Sequence, residues 1–231
     1  MPASTTGSAT GSPTRSATGS VPRSATGSEV DELCDRVRRV RAASAWNLYD
    51  EADATAAGDR PGAATARMAA LRDYLLAHWG ARVVLVGEAP GTHGARLTGV
   101  PFTSPRILHG SGPAESSATV VHRTLADLGA GDEVLLWNAS VLYRRDNRIP
   151  LADALAASRD VLGLVTRGRT VYAVGRVAAR ATGAPYLRHP SYGGSRDFAR
   201  GLALVLRSPP GTDVAGALAA PGAGRPGDTT R

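Results

Sequence analysis

The feature that most narrows what this chain can fold into is the run Val83-Val84-Leu85-Val86, which feeds directly into Gly87-Glu88-Ala89-Pro90-Gly91. Four β-branched or leucine residues bounded by a Gly/Pro cluster fit a strand buried on both faces. The loop beyond such a strand is where open α/β sheets place their ligands. The same signature, a short apolar run emptying into a polar or glycine motif, recurs further along the chain. Val134-Leu135-Leu136-Trp137 delivers Asn138, Thr170 to Val174 ends in Gly175-Arg176, and Tyr186-Leu187 ends in Arg188-His189-Pro190-Ser191.

Helical spacing fills the intervals. Val30, Leu33, Val37 and Val40 predict a helix from Glu29 to about Ala45, with acids early and arginines late as the helix dipole favours. Residues 46–61 read as polar and broken. Met68, Leu71, Leu75 and Trp79 predict a helix stopping at Gly80, and Val121, Leu125 and Leu128 one ending at Gly129. Leu151, Leu155, Leu162 and Val165 describe a further helix that Pro150 starts, after the polar loop 143–149 with its Arg144, Arg145 and Arg148. A short Ala-rich helix follows Arg176, and Phe198, Leu202, Val205 and Leu206 place the last at about 195–207. Four short strands alternating with helices argue an α/β class: a four-stranded parallel sheet covered on both faces, with right-handed crossovers. The carboxyl ends of the strands then open on one edge, so Glu88, Asn138, Gly175-Arg176 and His189 are expected to meet around one cleft.

Outside this unit the composition changes. Ser-Ala-Thr-Gly-Ser repeats at 8–12, 16–20 and 24–28, and such a segment buries too little apolar area to offset its ordering entropy. The expectation is a disordered tail over 1–28, one domain over 29–207, and a Pro/Gly-rich tail over 208–231. All 27 basic residues are Arg, so no side-chain amine exists for a Schiff base. The guanidinium pairs bidentately with phosphate, and residues 140–207 hold twelve Arg against four Asp, which a duplex-binding face explains. Cys34 is the sole cysteine, which excludes an intramolecular disulfide and a four-cysteine zinc or iron–sulfur site, and no histidine pair has metal-ligand spacing. No apolar run reaches membrane-spanning length and the N-terminus lacks a signal-peptide core, so a cytoplasmic protein is expected, by default a monomer.

The expected cleft has a definite chemistry. Asn138 can accept and donate in a fixed plane, which suits the Watson–Crick edge of a base. His189 can donate to an oxygen where negative charge develops. Gly-rich loops admit a sugar phosphate to backbone N–H groups, and Phe102 offers a ring on which a flat ligand can stack. Together these describe a nucleobase pocket beside a phosphate-binding rim.

Gly87-Glu88-Ala89-Pro90-Gly91 followed by Thr98-Gly99-Val100-Pro101-Phe102, then Trp137-Asn138, then His189-Pro190-Ser191, resembles the motif set of the uracil-DNA glycosylase superfamily over roughly residues 65–207. The resemblance implies a three-layer α/β/α sandwich that hydrolyses the N-glycosidic bond of a deaminated base flipped out of DNA. Carried over by position, Phe102 stacks on the flipped base, Gly87 and Ala89 line its pocket, and Asn138 hydrogen-bonds its edge. His189 stabilises the departing base anion. The loop from Ser191 through Gly193 to Arg196 enters the duplex with Tyr192 as wedge, and Gly175 and Arg176 hold backbone phosphate.

The departures bear on mechanism. Where well-known members carry an Asp or Asn to handle the attacking water this chain has Ala89, and where another branch supplies an acid beyond the Phe-Thr pair it has Ser104-Pro105. Glu88 is the carboxylate left in the motif, expected to orient water or to stabilise an oxocarbenium-like sugar. Iron–sulfur binding, usual in one branch with this motif, is excluded, and no cofactor is expected. Two other readings stay open: a damage-binding module that has lost its water-activating group, and a hydrolase of free nucleosides.

Overall fold

The computed structural model describes residues 27–144, 146 and 151–208, together with 214, 216 and 218. The tail repeats at 1–26, and Arg145, Asn147, Arg148, Ile149 and Pro150, lie outside the described residues. In chain order the elements are α1 (Gly27–Arg39), β1 (Ala45–Trp46), α2 (Glu51–Ala56), α3 (Ala63–His78), β2 (Val83–Gly87), α4 (Ala95–Thr98), α5 (Pro105–His109) and α6 (Ser116–Asp127). They continue with β3 (Val134–Asn138), β4 (Tyr143–Arg144), α7 (Ala152–Ala157), α8 (Arg159–Thr166), β5 (Thr170–Val174), α9 (Arg176–Thr182), β6 (Tyr186–Leu187) and α10 (Ser195–Arg207).

The four expected strands form one parallel sheet in the order β3-β2-β5-β6, and β1 pairs antiparallel with β4 apart from it. Alternation along each strand sends side chains to two separate cores. Val84, Val86, Leu135, Trp137 and Ala173 face the residues of α1, α3, α8 and α9, whereas Leu85, Val134, Leu136, Tyr172 and Val174 face Val121 and Leu125 of α6 and Phe198, Leu202 and Val205 of α10. The result is the α/β/α sandwich. At the outer edge of the sheet the Leu136 N–H donates to the Tyr74 hydroxyl at 2.6 Å, which ties α3 to β3.

Register sets the site. Gly87 pairs with Asn138 and Val174 with Leu187, so the strand ends lie level and Glu88, Asn138, Gly175 and His189 come to one edge. Chain order runs from β2 outward to β3 and then back across to β5, which puts the topological switch point between β2 and β5.

Four expectations need correction. The first helix stops at Arg39, short of Ala45, because the buried Asn47 side chain donates to the carbonyls of Val37 and Val40 at 2.7 and 3.0 Å and satisfies the helix end. The stretch 46–61 is ordered around that asparagine: Asp50 caps α2, and the Tyr49 hydroxyl donates to the Gly99 carbonyl at 2.5 Å, fastening the segment to the site loop. The helix expected over 151–165 is two helices, broken at Ser158, whose hydroxyl donates to the Ala154 carbonyl at 2.8 Å while accepting from the Val141 N–H at 3.2 Å. Packing also continues past Arg207, since Val214 is 4% exposed within the second core and Leu218 packs against it.

Below the site loop lies a buried ionic triad. Asp59 accepts from Arg67 at 2.7 Å and pairs with Arg96 at 2.9 Å, joining α3 to α4. Gly99, at φ +76°, rests on the Arg67 backbone, where a Cβ would come within 2.5 Å of Arg67 Cβ. No helix among the described residues is long and apolar enough to cross a membrane.

Candidate active site

At the carboxyl edge of the sheet, Gly87, Glu88, Ala89, Phe102, Asn138 and His189 line one cavity of about 60 Å³, joined by Gly91, Ala95, Glu115 and Ser117. Six of the expected site residues therefore converge. Asn138 is 6% exposed, and its side-chain amide takes no hydrogen bond from the described residues, so both faces of its polarity are available to a ligand. The close approach explains Gly87: a Cβ there would meet the Phe102 ring at 2.5 Å and Asn138 Oδ1 at 3.0 Å.

Phe102 belongs to the second core and also walls the cavity. Its backbone sits in the left-handed region at φ 54°, where a non-glycine residue persists only if its surroundings hold it. Those surroundings are specific. The Thr98 and Thr103 hydroxyls bond each other at 2.7 Å, Thr103 donates to the Val100 carbonyl at 2.7 Å, and His122 bonds the Phe102 backbone. His122, on α6, is thus turned inward, and burial lowers its pKa.

The tautomer of His189 follows from its partners. Nδ1 lies 3.2 Å from the Ser191 backbone nitrogen and 2.7 Å from the Ser191 hydroxyl. A backbone N–H can only donate, so Nδ1 accepts and the neutral ring carries its proton on Nε2. Burial, aided by the Arg188 charge, holds the ring below the ordinary histidine range, so it is neutral at pH 7. Gly175, at φ +95°, leaves the ring's other flank open, since a Cβ there would lie 3.4 Å from His189 Cδ2.

The two glutamates of the cavity differ. Glu88 sits on the rim, its side chain 41% exposed and 3.6 Å from Arg144. At Glu115 burial raises the carboxyl above the ordinary glutamate range, against the opposing pull of the Ser117 hydrogen bond and the His93 charge. Among the described residues no group of three or more His, Cys, Asp or Glu is placed to hold a metal ion. A larger groove of about 950 Å³ lies at the amino ends of β2 and β5, but its Arg169 is occupied by the carbonyls of Trp79, Ala81 and Val165.

The sequence profile of the uracil DNA glycosylase superfamily matches residues 75–211, more than half of the chain. The chain belongs to the uracil DNA glycosylase superfamily. Among solved structures it is similar to wild-type SMUG2 of Pedobacter heparinus, with a TM-score of 0.55 at 14% identity over 77% of this chain and 96% of that one, which is a likeness of fold. No curated protein sequence matches.

The residues of this superfamily member expected on DNA lie outside the cavity. Ser191 contacts His189, Arg176 and Arg196 are exposed, and Gly193 takes φ +76° in the loop they flank. Tyr192 is 96% exposed at φ 52°, and Arg188 braces it by donating to its carbonyl at 3.3 Å. Sequence reasoning missed Arg188, His122 and Glu115. A signal for the last existed: Glu115 is the sole carboxylate between Glu88 and Asp127.

Proposed function

We propose that the protein is a DNA glycosylase that hydrolyses the N-glycosidic bond of uracil, or of another deaminated base, in DNA and leaves an intact abasic site. What supports this reading most is the convergence, in one cavity, of a ring to stack on, an amide that takes no hydrogen bond from the described residues, and an imidazole with its proton on Nε2. A flipped base stacks on Phe102 and meets Asn138 through its hydrogen-bonding edge. As the bond to the base lengthens, positive charge builds on the sugar and negative charge on the base. His189 Nε2–H donates to the base oxygen that gathers this charge, and Glu88 faces the sugar. The reaction uses water alone, and the absence of Lys leaves no side-chain amine to cleave the strand.

The test uses labelled oligonucleotides carrying uracil or hypoxanthine, single- and double-stranded, incubated in chelator and then treated with alkali. Strand cleavage that appears only after alkali is the expected result. Salt-sensitive binding with no alkali-labile product on any substrate would instead mark a damage-binding module, the reading that Ala89 and Pro105 favour.

Tyr192 gives a second expected outcome. An exposed ring on a braced, strained loop suits insertion into the space a flipped base leaves. Tyr192→Ala is expected to slow base release from duplex DNA about tenfold, with the single-stranded rate unchanged, because only the duplex requires unstacking. Equal losses on both substrates would remove the wedge role.

A further inference from the structure

Resting on the glycosylase reading above, we propose that Glu115, from the start of α6, is the catalytic carboxylate that orients and deprotonates the attacking water, the role left open at Ala89 and Pro105. Three observations carry it. Glu115 lines the same cavity as Phe102, Asn138 and His189. It occupies the N-cap position of α6 yet makes no side-chain capping bond, so the carboxylate is not taken up by the backbone N–H groups of the helix it begins. The site loop is built around it: a Cβ on Gly91 would collide with both carboxylate oxygens, and one on Gly94 with Oε2. The second and third glycines of Gly87-Glu88-Ala89-Pro90-Gly91-Thr92-His93-Gly94 therefore make room for an acid that arrives from a distant segment.

The carboxylate is held for use. Ser117 Oγ donates to Oε1 at 2.8 Å, which orients the group and leaves Oε2, the atom packed against the glycines, without a hydrogen-bond donor among the described residues. The segment is fixed by the Thr119 N–H and hydroxyl, both 3.0 Å from the Glu115 carbonyl. Glu88 is less suited to the role, since its side chain is 41% exposed and its carboxylate lies 3.6 Å from the Arg144 guanidinium.

The step balances simply. Water oxygen bonds to C1′ of the sugar as the bond from C1′ to the base nitrogen breaks, and that electron pair leaves with the base. One water proton passes to Glu115, and the base anion, stabilised by His189, takes up a proton after release, which returns Glu115 to its carboxylate through solvent.

Titratable and charged groups facing Glu115 are His93 from its own loop side, Glu88 and the neutral His189 across the cavity, and the N-terminus of α6. The base form is the active one, so the rate rises with pH through the Glu115 titration, which burial places above the ordinary glutamate range. Two groups, Glu115 and His189, then shape the acid side of the wild-type profile.

The experiment compares wild type with Glu115→Gln in single-turnover base release on a uracil oligonucleotide. Glutamine keeps the shape and the Ser117 contact, so a merely structural role would leave the rate intact. We expect a loss of about 100-fold or more, unchanged DNA affinity, a melting temperature equal to or above wild type, and an acid limb reduced from two titrations to one. Glu115→Ala with added formate provides the second arm, with partial recovery of rate expected as formate fills the space. A Glu115→Gln rate within about threefold of an active wild type, with the acid limb unaltered, would overturn this assignment and leave the glycosylase reading standing. A wild type that releases no base from any substrate overturns both.

Discussion

His189→Ala is expected to lower the single-turnover rate of base release about 10²–10³-fold, the cost of removing one preorganised donor from a developing anion. The loss should fall on the rate and spare DNA affinity, because the imidazole meets charge that exists only in the transition state. Ser191→Ala should cost far less. The Ser191 backbone N–H, which fixes the proton on Nε2, survives that change and only the hydroxyl donor at 2.7 Å is lost. The pH dependence carries a definite sign. His189 titrates below its ordinary value of 6.5, so the neutral donor persists through neutrality, and activity falls in acid as Nδ1 takes a proton and releases the Ser191 amide. The same shift means that the unfolded chain binds the proton first as pH falls below 6.5, so this histidine also withdraws stability in acid. A rate profile flat down to pH 4 in wild type would contradict the assignment.

Asp59→Ala is expected to destabilise the fold by about 3–5 kcal/mol, since it strands two guanidinium groups that are buried on both sides of it. The side chains of Arg67, Asp59 and Arg96 are 6%, 11% and 14% exposed, so water cannot replace the lost carboxylate. Urea unfolding with a lowered midpoint and unchanged slope would report the effect. Because Arg96 lies on α4 and Arg67 supports Gly99, the damage should reach the site loop before the sheet. Base release is therefore expected to fail at a lower urea concentration than the loss of helical signal. A change below about 1 kcal/mol would show that the triad is solvated.

The strands and their ends were legible in the sequence because fully buried parallel strands are short apolar runs, and a parallel sheet sends all their carboxyl ends to one edge. Asn138 and His189 stand one and two residues past such runs, so sheet geometry alone brought them together. Phe102 was legible as a ring to stack on, but nothing in its spacing separates a cavity wall from plain core, and in the structure it is both. Glu115 was not legible in the same way. It begins a helix on the far side of the loop, and only the packing of Gly91 and Gly94 against it reveals the meeting. Asn47 hid the order of residues 46–61 for a related reason. One buried side chain serves helix carbonyls there, and no periodic pattern announces it. The break at Ser158 escaped because apolar spacing on both sides of a serine reads as one continuous stripe.

Gly91 and Gly94 make the site loop and the start of α6 inseparable in descent. With a side chain at either glycine, residue 115 would have to shrink in the same step, and a shorter residue at 115 without a change at the glycines would leave an empty space beside the cavity. Recombination that brought in the loop without α6 would break the fit, so the two segments can diverge only as a pair.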